Sequence, residues 1–317
     1  MSEKVHRIEI PTPFPVGNVN VYLIEGSPLT LIDTGPKTAH SSEALKRALA
    51  KFDYSTGDIE RIILTHGHLD HFGQAGEVKR ASGAEICVHE WDEQVICDLG
   101  TAMKKWKETN ENFVMKTGLP RKIYEKIMQY QDLVMWVGEP VEIDRTLRDG
   151  DTISSDFELK VIHTPGHSPG HICLYAPSQK ILFSGDHILR DITPNPFVAS
   201  SGRGLGLRNY LDSVRKIEKL DAEITLTGHG APVEDLGAVI RSLYSHHEAR
   251  KKNIMEVLDG GGEKTPYDIS CAIFKNLPLS EVLLGLAEVM SHLEVLVEDG
   301  KVDSREKGRL VYYNKIS

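Results

Sequence analysis

The chain has 317 residues, 40% of them hydrophobic and 26% charged, and a formal net charge of -9. This composition is that of a globular protein with one or two domains, which excludes disordered and fibrous classes. The acidic excess argues against nucleic acid or an anionic membrane surface as the main partner, and no apolar run is long enough to span a membrane.

The first third of the chain has the pattern of short strands separated by turns. Runs rich in Val and Ile are typical of strands, and the spacing of Leu45, Leu49 and Phe52 predicts a helix over residues 41–52. The predicted strands cover residues 7–10, 19–24, 30–32 and 61–64.

A helical pattern replaces the strand pattern between Trp91 and Val137, with Pro120 between two stretches. All three tryptophans fall in this region. We expect a helical insertion whose aromatic side chains either pack on one another or form a lid over an apolar substrate pocket, and the sequence favours neither alternative.

Strand character returns at residues 152–162, 171–175 and 180–184, followed by a helix at 210–220 and a strand at 222–226. Beyond His246 come three helical patterns, at 248–258, 266–274 and 281–297, and a short hairpin built from 301–303 and 310–313. Three helices followed by a two-stranded wing predict a winged-helix-like domain over 246–317, after a first domain over 1–245.

The strongest chemical signal is the segment from Thr65 to His71, which follows an apolar strand. Its four potential metal ligands are His66, His68, Asp70 and His71. A dense group of imidazoles and a carboxylate suits zinc, with iron or manganese as alternatives. The spacing differs from the helical HExxH motif, whose histidines lie four residues apart.

Three further polar residues follow predicted strands in the same way. They are His167, Asp186 and His229. Because loops at the carboxyl ends of strands gather at one edge of an α/β sheet, these side chains are expected to meet the first group there.

In this order and context the motifs resemble those of the metallo-β-lactamase superfamily, over roughly the first 240 residues. The resemblance rests on Asp33, the HxHxDH segment from His66 to His71, and the three later residues. The tail resembles the winged-helix domain of one branch of that superfamily. The resemblance implies an α/β fold, the αββα sandwich, with a helical insertion and a winged-helix-like C-terminal domain.

The resemblance also implies a dinuclear centre. One metal would take His66, His68 and His167, the other Asp70, His71 and His229, and Asp186 would bridge the two. Asp33 would steer the loop or a ligand histidine without binding metal. Among the remaining histidines, His163 is expected to be structural and His187 is a candidate to face substrate. His171 is a candidate to support a ligand without binding metal. The histidines expected to be surface or packing residues are His40, His89, His246, His247 and His292.

We therefore expect a metal-dependent hydrolase that uses a metal-bridging hydroxide on a small-molecule thioester, ester or lactone. Asp70 would serve both as a ligand and as the catalytic residue that accepts or orients a proton. Two zinc ions are the expected cofactors. Residues 191–196 and 200–206 are expected to rim the site, where Arg190 or Arg203 could meet an anionic group.

Two alternatives come from the tail. A metal-dependent endoribonuclease would use it to present single-stranded RNA, and a DNA-binding regulator would carry a vestigial catalytic domain. Residues 246–317 contain ten basic and twelve acidic residues, however, and the helix at 281–297 has no Lys or Arg. A groove-binding helix needs such side chains, so we expect this helix to pack on the first domain or on a partner subunit of a homodimer.

The four cysteines, Cys87, Cys97, Cys173 and Cys271, form no CxxC pair. A disulfide framework is therefore not expected. The N-terminal segment shows no apolar signal core. Together these features predict a cytoplasmic protein.

Overall fold

The computed structural model describes residues 3–154, 156–196 and 206–316. Its first sheet has six strands in chain order, β1 to β6. The first three strands pair antiparallel, and β3 to β6 pair parallel. Their bounds are β1 Val5–Ile10, β2 Val19–Ile24, β3 Thr30–Ile32, β4 Arg61–Ile63, β5 Glu85–His89 and β6 Arg145–Leu147.

The second sheet has five strands in the order β11-β10-β9-β8-β7. Its strands are β7 Thr152–Ile153, β8 Leu159–His163, β9 Ile172–Ala176, β10 Ile181–Gly185 and β11 Ile224–Thr227. The single strand predicted over 152–162 is wrong, because β7 and β8 are separate strands that pair antiparallel. Only β10 and β11 pair parallel in this sheet.

The two sheets pack face to face around a buried apolar core. Ile32 and Ile63 of the first sheet share this core with Leu174 and Phe183 of the second. Because neighbouring residues of a strand point to opposite faces, the outer faces are apolar too, and helices cover them. The first sheet is covered by α1 (Ala39–Ala50) and α3 (Ala75–Ser82), and the second by α7 (Leu207–Ile217) and the start of α8 (Leu236–Asp259). These layers form a mixed α/β sandwich.

Between β5 and β6 the chain is helical. It forms α4 (Glu93–Cys97), α5 (Leu99–Lys116), α6 (Arg121–Val134) and a 3-10 turn at Met135–Val137. The helical pattern predicted for this region coincides with these elements. A short helix α2 (Leu69–Phe72) lies earlier, directly after β4.

The C-terminal part consists of the second half of α8, then α9 (Pro266–Ile273), α10 (Val282–Glu298) and a hairpin of β12 (Val302–Lys307) and β13 (Leu310–Lys315). Three helices and a hairpin follow one another as the sequence predicts. The boundary predicted between residues 245 and 246 falls inside α8, which is one continuous helix. Within the described ranges, none of the helices has the length and apolarity needed to cross a membrane.

Candidate metal centre

Seven candidate ligands come together at one edge of the sandwich, although they lie on separate segments of the chain. His66 and His68 follow β4, and His68 directly precedes α2, which carries Asp70 and His71. The other three come from the loops that follow β8, β10 and β11. They are His167, Asp186 and His229. The sequence prediction that these strand ends meet is confirmed.

Three imidazole nitrogens converge at the centre of the first group. Nε2 of His66 lies 2.9 Å from Nδ1 of His68, which lies 3.1 Å from Nε2 of His167. The outer nitrogen of His167, Nδ1, faces the Asn195 carbonyl oxygen at 3.3 Å and must donate to it. Nε2 of a neutral His167 is therefore a bare acceptor.

A hydrogen bond with Thr65 determines which ring nitrogen of His66 carries the proton. The Thr65 hydroxyl lies 2.8 Å from the Asp33 carboxylate and donates to it, so it can accept from Nδ1 of His66 at 3.0 Å. Nε2 of His66 is then also bare. Both bare nitrogens lie about 3 Å from Nδ1 of His68, and a cation among the three nitrogens would bond to all of them.

The second group contains Asp70, His71 and His229. Nε2 of His229 lies 3.4 Å from Oδ2 of Asp70. Its Nδ1 donates to the Asn18 carbonyl oxygen at 2.8 Å, and Nδ1 of His71 donates to Oδ2 of Asp33 at the same distance. Both histidines therefore present Nε2 to the centre.

Asp186 lies between the two groups. Its Oδ1 is 3.4 Å from Nε2 of His71, and its Oδ2 is 3.6 Å from Nε2 of both His167 and His229. The Asp186 carboxylate therefore contacts members of both groups, which is the position that a bridging ligand would occupy.

The donor set fits divalent cations. The triads His66–His68–His167 and Asp70–His71–His229 each place their ligand atoms within 4.8 Å of one another. Nε2 of His71, Nε2 of His229 and Oδ1 of Asp186 are buried without a hydrogen-bond partner in the part of the chain that the structure describes. Such atoms are costly to bury unless something bonds to them. A bound cation would satisfy all three.

The charges of the centre shift the pKa values of its members. Burial by itself would lower the pKa of His71, but the carboxylates of Asp186 and Asp33 hold it well above its usual value. Burial lowers the pKa of His167 to about 4, helped by the neighbouring His68. The first triad is therefore neutral and ready to bind a cation, whereas a cation in the second group must displace protons.

The other histidines near the centre have structural roles. Nε2 of His171 accepts from the backbone N–H of Asp186 at 3.1 Å. His163 is structural, as predicted: its ring stacks on His89 at 3.9 Å, and its Nε2 bonds the Pro169 carbonyl oxygen. His187, a candidate to face substrate, is fully buried, and its ring centroid lies 4.9 Å from that of Tyr210.

The sequence does not predict three of the residues that hold the candidate ligands, namely Asn18, Asn195 and Asp92. Asn18 and Asn195 act through their backbone carbonyl groups, which any residue possesses, so no sequence signal marks them. Asp92 accepts hydrogen bonds from two of the loops that bear ligands. It closely follows β5, a strand that the sequence prediction does not contain. Residues 200–205, including Arg203, lie outside the described residues, and Arg190 is exposed beside Asp191.

The helical insertion and the tail pack on each other. Val114, Tyr124 and Ile127 of the insertion share an apolar cluster with Leu286 and Met290 of α10. Of the two alternatives predicted for α10, packing on the first domain or on a partner subunit, the structure shows packing on the insertion of the first domain. Tyr124 and Phe113 are aromatic side chains of the insertion that join this cluster, whereas Trp136 is exposed.

Comparison with known proteins gives a consistent result. A family model described as the metallo-beta-lactamase superfamily matches residues 14–229. The chain is 29% identical to the probable metallo-hydrolase YqjP of Bacillus subtilis, over 98% of both chains. Two relatives carry thioesterase names. Human acyl-coenzyme A thioesterase MBLAC2 is 31% identical over 53% of this chain and 57% of that protein. The atrochrysone carboxyl ACP thioesterase of Aspergillus fumigatus is 22% identical over 94% and 82%, respectively.

Solved structures agree with the fold. The metallo-beta-lactamase family protein TTHA1429 from Thermus thermophilus superposes with a TM-score of 0.83 at 27% identity, covering 99% of both chains. TTHA1623 in a di-iron-bound form is 25% identical, with a TM-score of 0.50, covering 72% of this chain and 94% of that one. The site geometry and these likenesses point to the same group of proteins.

Proposed function

This chain belongs to the metallo-β-lactamase superfamily, and from that premise we propose that it is a dinuclear metal-dependent hydrolase of small-molecule thioesters or esters. The observation that carries the proposal is the pair of His/Asp triads joined by Asp186. We assign one cation to His66, His68 and His167, and the other to Asp70, His71 and His229. Zinc suits these ligands, and the di-iron neighbour makes iron the alternative.

When bound, two divalent ions supply polarisation of the substrate carbonyl and activation of the attacking water. The chain's own residues do the rest. Oδ2 of Asp70 lies 3.4 Å from Nε2 of His229, and the Asp70 carboxylate would accept or orient a proton of the attacking water. Asp33 and the Asn18 and Asn195 carbonyl groups fix the orientations of His71, His229 and His167, respectively, so that reorganisation during the reaction is small.

Exposed apolar side chains on segments that contact the ligand-bearing loops support a substrate with an acyl chain. Trp136, Ile192 and Leu284 are 63%, 51% and 43% exposed. Singly exposed residues need no explanation, but each of these belongs to a segment attached to a ligand-bearing loop.

Particular contacts connect these segments to the ligand-bearing loops. Asn195, three residues after Ile192, bonds His167 through its carbonyl group and donates from Nδ2 to the Leu284 carbonyl oxygen at 2.7 Å. Trp136 lies in the turn whose Val137 carbonyl oxygen approaches Gly73 at the end of α2, where a Cβ would overlap that oxygen. The thioesterase names of two relatives agree with an acyl substrate.

Cleavage of RNA is the alternative, and the tail does not favour it. We propose that the tail is a winged-helix-like domain with a packing role, because α10 buries Leu286 and Met290 against the insertion. Three lysines at the hairpin have carboxylate partners, which lowers their value as phosphate ligands. These pairs are Lys301–Asp299, Lys307–Glu263 and Lys315–Asp259. That the protein forms a homodimer stays a prediction.

The test is a substrate panel with protein loaded with zinc, iron or manganese. Coenzyme A thioesters of increasing acyl length, simple esters, lactones and a labelled single-stranded RNA are compared under one condition. We expect thioester hydrolysis that Asp70→Asn lowers by about 10²–10⁴-fold. Asp53→Asn, a change at an exposed aspartate, is the matched control. Cleavage of RNA with no ester hydrolysis would reject the proposal in favour of the nuclease.

A further inference from the structure

Asp92 is a buried carboxylate beside the candidate metal centre. It lies between β5 and α4 and is only 2% exposed. Among the residues that the structure describes, no cationic side chain forms an ion pair with it. Burying a carboxylate is costly unless it is paired or hydrogen-bonded, so its hydrogen bonds should explain its presence.

Those hydrogen bonds come from the two loops that carry the first triad. Oδ2 of Asp92 accepts from the backbone N–H of Gly67 at 2.8 Å, and Oδ1 accepts from the backbone N–H of Gly170 at 2.9 Å. The Ser168 hydroxyl adds a longer contact of 3.4 Å to Oδ2. Gly67 lies between His66 and His68, and Ser168 follows His167.

Each carboxylate oxygen therefore accepts a short backbone hydrogen bond from a different loop. The ring nitrogens that these loops present to each other lie only about 3 Å apart, so a small shift of either loop changes the site. Hydrogen bonds from backbone N–H groups to a carboxylate are short, charge-assisted and stronger than neutral ones. The position of Asp92 thus bears directly on the distance between the His66–His68 loop and His167.

We propose that Asp92 is a positioning residue that clamps the His66–His68 loop to the His167 loop and so sets the spacing of the three-nitrogen cation site. This inference rests on the proposed dinuclear centre. It does not give Asp92 contact with a cation or with substrate.

Glycine at position 170 is part of the same arrangement. A Cβ at Gly170 would lie 2.5 Å from Cγ and from Oδ1 of Asp92, closer than real contacts allow. A Cβ at Gly67 would lie 3.5 Å from Oδ2, which is ordinary contact. Alanine at position 170 should therefore displace the Asp92 clamp, whereas alanine at position 67 should leave it intact.

The decisive variant is Asp92→Asn, which keeps the shape of the side chain and replaces one of its two acceptor oxygens. An amide has a single oxygen, so its NH₂ group must face one of the two backbone N–H donors. The matched control is Asp98→Asn, because Asp98 is an exposed aspartate that also accepts a backbone N–H, from Thr101 at 3.2 Å, but on α5.

The measurement is the affinity for each of two zinc equivalents, by competition with a chromophoric chelator, together with the cobalt(II) absorption spectrum. We expect Asp92→Asn to weaken one equivalent by about 10–100-fold and to change the cobalt spectrum of that site. The second equivalent and the circular dichroism of the metal-free protein should match the wild type. Asp98→Asn should change none of these quantities.

Wild-type affinity for both equivalents in Asp92→Asn would overturn the inference. If that variant does not fold, Gly170→Ala should show the selective loss and Gly67→Ala should not, and equal behaviour of these two would also overturn it. Wild-type protein that binds fewer than two equivalents contradicts the proposed dinuclear centre itself, which separates the two failures.

Discussion

Nδ1 of His71 lies 2.8 Å from Oδ2 of Asp33, and both side chains are buried. The same carboxylate accepts from the backbone N–H and the hydroxyl of Thr65, each at 2.8 Å. Asp33 therefore orients His71 directly and His66 through Thr65. These contacts agree with the role that the resemblance implied for Asp33, which was to steer the loop or a ligand histidine.

Asp33→Asn should weaken metal binding by about 10–100-fold. The amide has one oxygen for three donors, so one of the hydrogen bonds must be lost. The measurement is zinc affinity by chelator competition. Asp53→Asn is the matched control, because both aspartates have a positive φ, 59° and 61°, but Asp53 is exposed. Equal affinities in the two variants would show that Asp33 is dispensable.

Two glycines flank His229 and should respond differently to alanine. A Cβ at Gly228 would overlap Oδ1 of Asp186, whereas a Cβ at Gly230 meets nothing within 4 Å. Gly228→Ala should displace Asp186, lower metal content and destabilise the fold by about 1–3 kcal/mol. Gly230→Ala should cost about 1–2 kcal/mol through its φ of 71° alone and keep the metal. Full metal occupancy in Gly228→Ala would contradict the placement of Asp186.

Trp136→Ala should reduce the dependence of activity on acyl length. If the exposed indole contacts the acyl chain, its loss raises KM for long thioesters and leaves short ones unchanged, since burial of apolar surface contributes about 25 cal/mol per Å². Steady-state kinetics on the length series measures this. Ile316→Ala, at an exposed apolar residue in the C-terminal segment, is the control. A uniform fall in kcat for all lengths would argue against an acyl contact.

A buried histidine pair joins α8 and α10 and should make stability depend on pH. Nδ1 of His292 lies 2.6 Å from the Glu288 carbonyl oxygen and donates to it, so its Nε2 accepts from Nδ1 of His247 at 3.0 Å. Burial lowers the pKa of His247 to about 3 and that of His292 to about 4. The groups facing the pair are His246, Glu288, Arg250, Lys251 and Tyr210.

The direction in which stability changes with pH follows from proton uptake by the unfolded chain. Between about pH 6.5 and pH 4 the unfolded chain protonates these histidines and the folded chain does not, so stability is full above pH 6.5 and falls as the pH drops. Each histidine contributes up to about 1.4 kcal/mol per pH unit. The double variant His247→Gln with His292→Gln should have a shallower slope in denaturant titrations across this range. The exposed His40→Gln should retain the wild-type slope, and an unchanged slope in the double variant would sink the prediction.

Several elements can be predicted from sequence because their signals are local. The strands β2 and β3 have the predicted bounds, since runs of Val, Ile and Leu suit a fully buried strand. The prediction lacks β5, although most of this strand is buried as well, because it is a short run between helices. The strand predicted over 152–162 is a hairpin, a difference that depends on the turn between its two halves.

The candidate ligands can be identified by residue type, spacing and position after strands, which are properties of the sequence alone. Two of the residues that orient these ligands, Asn18 and Asn195, cannot be identified from the sequence, because they act through backbone carbonyl groups common to all residues. The Asp92 clamp and the packing of the insertion on α10 join segments far apart in the chain. The sequence by itself thus determined which chemistry is available. Only the tertiary structure decided how the groups are held, because burial and long-range hydrogen bonds exist only once distant segments meet.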